Sequence, residues 1–83
     1  MASRQVRRFA QQLAQRAVRR KYPGHTSDQD ESVESHELGD GSFVVDVTFY
    51  GEDNVLITTH WRVVDGEKIA AELTAEQADE LRN

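Results

Sequence analysis

The sequence predicts an α+β fold: an N-terminal amphipathic helix packed on one face of a 3-4 stranded antiparallel meander, followed by a short C-terminal helix. Three observations carry this. From Ser42 to Val64 apolar and polar residues alternate on both sides of a short polar turn, the mark of half-buried strands. Ahead of them, Ser3 to about Lys21 has helical spacing and is stopped by Pro23-Gly24. Behind them, Thr74 followed three residues later by Gln77 writes a capping box. At 83 residues the chain, 1–83, has room for one domain and one modest core.

In the first helix, about 3–21, Ser3 is the candidate N-cap. At about 100° per residue Val6, Phe9, Ala10, Leu13 and Ala17 gather into one apolar arc, the natural cover for a sheet. Arg4, Arg7, Arg8, Gln11, Gln12, Gln15 and Arg19 lie opposite, so the positive stripe is expected to face solvent and not the acidic strands. Val18 falls on that charged side, where burial needs a second surface. Residues 22–32 are polar, acidic and aperiodic, and read as a surface connection.

The first strand is about 33–38. A two-residue turn at Asp40-Gly41 sets Leu38 opposite Phe43, His36 opposite Val45 and Glu34 opposite Val47, which points Glu34 and His36 to the core side. Either a bulge across Gly39 to Gly41 restores the pattern, or the strand is an edge lying past the helix. For strands about 42–50 and 55–64, matching the apolar faces puts Phe49 opposite Ile57, Val47 opposite Thr59, Val45 opposite Trp61 and Phe43 opposite Val63. A three-residue loop at Glu52, Asp53 and Asn54 remains, with Asn54 left-handed. Slipping by one residue buries Asp46, His60 and Arg62, so the register is strongly specified. Asp65-Gly66 is a further turn before a strand at about 67–72, although Ile69-Ala70-Ala71 equally suits a helix start. The last helix is about 75–82, with Leu73 and Ala78 as its hydrophobic staple. The order resembles double-stranded RNA binding domains and cystatin-like rolls in outline, with acidic Glu76, Asp79 and Glu80 where the former need a basic helix.

Charge is split along the chain. The first 21 residues hold Arg4, Arg7, Arg8, Arg16, Arg19, Arg20 and Lys21 and no acid, whereas the rest hold all 15 acids, within a net charge of -5. Such asymmetry points to a charged partner. With no Cys there is neither a disulfide framework nor a thiol nucleophile. No run of about 18 apolar residues occurs, and no apolar segment follows the first arginines, so a soluble, cytoplasmic protein with no membrane partner is expected. An Arg-rich, acid-poor helix also resembles a mitochondrial transit peptide, against which stands its role in covering the core.

On the outer face of the central hairpin Asp46 stands opposite His60, with Arg62 diagonal and Thr48 opposite Thr58. A carboxylate beside an imidazole is how a general base is oriented, yet an open sheet face offers no cavity and no oxyanion hole. No catalytic residue, cofactor or metal site is therefore expected; His25, His36 and His60 lack ligand spacing, and 28–32 lacks the glycine and distal glutamate of a calcium loop. Two partner-binding surfaces are candidates. One is the basic helix face, Arg4, Arg7, Arg8, Arg16, Arg19 and Arg20; the other is the outer sheet face, Val44, Asp46, Tyr50, Leu56, His60 and Arg62. The expected function is a small non-enzymatic interaction protein, such as a viral or bacterial accessory, assembly or inhibitor-type factor, that binds another protein through charged surfaces. Nucleic-acid binding through the arginines is the alternative, and a homodimer through the outer sheet face is a further candidate.

Overall fold

The computed structural model describes residues 4–22, 31–51, 54–64 and 70–83. Helix α1 (Arg4–Lys21) is followed by strands β1 (Ser32–Glu37), β2 (Phe43–Tyr50), β3 (Leu56–Val63) and β4 (Ala71–Leu73) and by helix α2 (Ala75–Arg82). The strands form one antiparallel meander in the order β1-β2-β3-β4. The α+β architecture expected from the sequence is thus observed, with the fourth strand starting only at Ala71. The Ser3 cap, the Pro23-Gly24 stop, most of the 22–32 connection, Glu52, Asp53, the Asp65-Gly66 turn and 67–69 lie outside the described residues.

The central hairpin has the register its alternation demands. Phe43, Val45, Val47 and Phe49 face Val63, Trp61, Thr59 and Ile57 across the ladder. Asn54 takes φ 61°, the left-handed position that closes a three-residue loop, and Gly51 N donates to Val55 O at 2.9 Å. Inside, Phe43, Val45, Val47, Phe49, Trp61 and Val63 form one core with Ala10, Leu13, Ala14 and Val18 of α1. Each large apolar side chain enclosed there contributes roughly 1.5–3 kcal/mol. The one polar side chain of that inner ladder, Thr59, is satisfied: Trp61 Nε1 donates to its Oγ1 at 2.8 Å, which donates to Val47 O at 3.0 Å.

The first hairpin corrects the two-residue turn. Leu38 N donates to Ser42 O at 2.8 Å and Gly41 N to Leu38 O at 3.1 Å, so Gly39, Asp40 and Gly41 form a three-residue loop, with Gly41 at φ 86°. The extra residue shifts the register to Val33↔Val47, Ser35↔Val45 and Glu37↔Phe43, turning Glu34 and His36 to the outer face. This is the bulge alternative. Asp40 Oδ1 accepts from Ser42 Oγ at 2.6 Å and Ser42 N at 3.0 Å. These bonds, with the nearby Arg62, hold its carboxyl below the usual carboxylate range. Its contribution is therefore present at neutral pH and is lost as the pH falls below that range through the lowered native value. A Cβ added at Gly41 meets nothing within 4 Å. Gly41→Ala is expected to cost about 1–2 kcal/mol by backbone strain alone, with Gly41→Asn milder, as urea unfolding would show; equal stability of Gly41→Ala would contradict the turn.

Helix α1 docks in a different phase from the one its apolar arc suggests. Ala10, Leu13, Ala14 and Val18 are buried, Ala17 is half-buried, and Val6 and Phe9 are exposed, Phe9 by 51%. Two groups outside the arc turn the helix toward β1: Arg7 Nη1 and Gln11 Nε2 each donate to Ser35 Oγ at 3.0 Å. At the far end Tyr22, expected in the polar connection, packs its ring on Phe49 at 5.4 Å, which brings Val18 over the sheet. The second surface that Val18 required is thus the sheet itself.

Helix α2 lies on the opposite face. Thr74 Oγ1 accepts from Gln77 N at 3.1 Å and Thr74 N donates to Gln77 Oε1 at 2.9 Å, the capping box the sequence spells. From β4 the helix crosses β3 to β2, burying Ala78 fully, and Arg82 Nη1 donates to Asp46 Oδ2. Two helical layers therefore sandwich one sheet.

Candidate functional site

The structure sorts the cations of α1 into two groups. Arg7 pairs with Glu37 at 3.8 Å and donates to Ser35 O at 3.0 Å, its guanidinium 5.6 Å from the Phe43 ring centroid. Arg19 pairs with Glu31 at 3.8 Å, and Lys21 pairs with Glu72. These three are rim contacts that fasten the helix to the sheet edges, and they correct the expectation that the whole stripe faces solvent. The two more exposed pairs, Arg7–Glu37 and Lys21–Glu72, contribute little individually, about 0–1 kcal/mol, whereas the Glu31 side chain that meets Arg19 is only 3% exposed.

Arg4, Arg8, Arg16 and Arg20 form the second group. All four are exposed, and none has an ion-pair partner among the described residues. With Gln12 between them they follow an i, i+4 ridge, each step about 6 Å along the axis. Beside that ridge stands Phe9, which belongs to the site and not to the core. Its role was hidden because a 3.6-residue period shows which residues share a face but not where the sheet ends. Four guanidinium groups in a row suit bidentate contacts to carboxylates or phosphates.

The outer sheet face is not the continuous exposed patch expected of Val44, Asp46, Tyr50, Leu56, His60 and Arg62. Val44 is 0% exposed, because α2 covers this end of the sheet. Under the helix His60 Nδ1 lies 2.7 Å from Asp46 Oδ1, and Arg82 takes the other carboxylate oxygen. Burial alone would lower the Arg82 pKa, but the attraction of Asp46 and the bonds to Asp79 and Asp46 outweigh it and raise it. Arg62 turns to Asp40 at 3.2 Å and does not reach Asp46. Thr48 and Thr58 hydroxyls meet at 3.2 Å, and only Tyr50 and Leu56 of the six predicted residues stay exposed.

Where α2 crosses the sheet it leaves a groove of about 480 Å³ lined by Arg62, Leu73, Gln77, Glu80 and Leu81. Four of these five were missed; the staple residue Leu73 and the apolar side of 75–82 were the signal that a second helix would seek the outer face. Among the described residues no three His, Asp or Glu side chains gather as a metal site, and no helix is long and apolar enough to cross a membrane. Comparison with family models, with curated proteins and with solved structures finds no match for this chain.

Proposed function

We propose that the chain is a non-enzymatic interaction module that docks through the outer side of α1 onto an anionic protein surface. The carrying observation is the ridge of Arg4, Arg8, Arg16 and Arg20, exposed and without ion-pair partners among the described residues, while the other three cations of the helix are used internally. The acids of α2 do not cancel this ridge. Glu76, Asp79 and Glu80 sit on the far helical layer, two layer spacings of about 10 Å away, beyond a Debye length of about 8 Å at physiological salt.

The test is fluorescence anisotropy with a labelled polyglutamate peptide. R8E/R16E is expected to weaken binding about tenfold or more, roughly 1.4 kcal/mol, and added salt to weaken the wild type. Salt-independent binding, or binding untouched by R8E/R16E, would overturn the reading.

Exposure of Phe9 beside the arginines favours a second reading, single-stranded nucleic acid, because an aromatic face stacks on any base. Four phosphate contacts predict a slope of log affinity on log salt of about −3 for a single strand. Phe9→Ala would lower affinity without changing that slope. No complex with an oligonucleotide at low salt would remove this reading.

A further inference from the structure

Resting on the reading of α1 as a docking surface, we infer that its anionic partner is a second copy of this chain: Phe9, Arg16 and Arg20 of one molecule seat on the groove and acidic face formed by β3, β4 and α2 of the next. On α1 these three side chains fall within about 40° of one another around the helix axis. They present an aromatic knob with two cations one turn apart. The opposite layer offers the complement. Leu73 and Leu81 give the groove apolar walls, and Glu76 and Glu80, also one turn apart, are exposed with no ion-pair partner among the described residues.

Arg62 adds a third match. Its Nε is buried with no hydrogen-bond partner. Its Nη2 is held by Asp40 at 3.2 Å, and a phenyl ring laid against the guanidinium adds a cation–π contact to a group paired at one end only. Knob and groove lie on opposite sides of the sheet, so the contact is head-to-tail and does not close as a two-fold dimer. Copies add in a row.

Sedimentation of the full chain tests this, at about 0.01 M salt, where screening reaches only beyond about 30 Å. Wild type is expected to show an average mass that rises above 9.4 kDa with concentration and returns to it at high salt. F9S/R16Q/R20Q, which lacks the knob, and E76Q/E80Q, which lacks the acidic rim, change only exposed side chains and should keep wild-type circular dichroism. Each is expected to associate about tenfold or more weakly. Their equimolar mixture holds one intact knob and one intact groove, and is expected to regain a complex that stops at two molecules.

A wild type that stays at 9.4 kDa, or a mixture no heavier than its components, overturns the inference. So does a closed dimer indifferent to both variants. If wild type is monomeric but F9S/R16Q/R20Q loses its affinity for polyglutamate, self-docking fails and the reading of α1 stands. If that affinity is also unchanged, both fall.

Discussion

Val18→Asp is expected to unfold most of the chain, whereas Phe9→Ser is expected to leave its stability within about 0.5 kcal/mol of wild type. Val18 is 0% exposed and lies in the core with Phe49 and Val47, so a carboxylate there is enclosed with no cationic partner described beside it. The cost of several kcal/mol is comparable to the total stability of about 4–12 kcal/mol that a domain of this length has. Urea titration followed by circular dichroism, with both variants in parallel, checks the pair. The opposite ranking, with Phe9→Ser unfolded and Val18→Asp tolerated, would mean that α1 docks through the arc of Val6 and Phe9 after all.

The next largest effect is expected at Asp46. Its two carboxylate oxygens hold His60 Nδ1 and Arg82 Nη1, and the three side chains are between 16% and 25% exposed. Removing the acid leaves the Arg82 guanidinium bonded only to Asp79 of its own helix and unties α2 from β2. A fully buried pair broken in this way costs about 3–5 kcal/mol; with solvent reaching these side chains Asp46→Ala should cost about 2 kcal/mol. Asp46→Asn keeps one acceptor and should recover part of the loss. In the double variant Asp46→Ala/Arg82→Ala the coupling should cancel much of the penalty. Additive losses in that cycle would show that the contact holds nothing together.

The two central strands and α2 were legible because each is specified locally. Alternation from Phe43 to Val63 admits one register, and Thr74 with Gln77 fixes a helix start without reference to the rest of the fold. The phase of α1 was not legible. Its sequence carries two overlapping apolar arcs, one through Val6, Phe9, Ala10, Leu13 and Ala17 and one through Ala10, Ala14 and Val18. The choice between them is made by groups distant in sequence: Ser35 holding Arg7 and Gln11, and Phe49 meeting Tyr22. The basic candidate site was half legible for the same reason. All six arginines were identified, but whether each one bonds inward depends on which glutamates come within reach, Glu37 in β1 and Glu31 just before it. The covered Val44 followed from α2, whose apolar side, together with Leu73, was the one sequence signal for its docking on the outer face.

The chain has one tryptophan, and its indole is enclosed in the core with its Nε1 bonded to a threonine hydroxyl that is itself bonded to the backbone. Its emission is therefore a private signal of the inner layer: blue-shifted while α1 is seated, red-shifted once water enters. Because Phe9, the arginine ridge and the α2 groove lie away from that ring, titrating a partner onto either outer surface should leave the spectrum unchanged. Unfolding and docking can then be followed separately in the same cuvette.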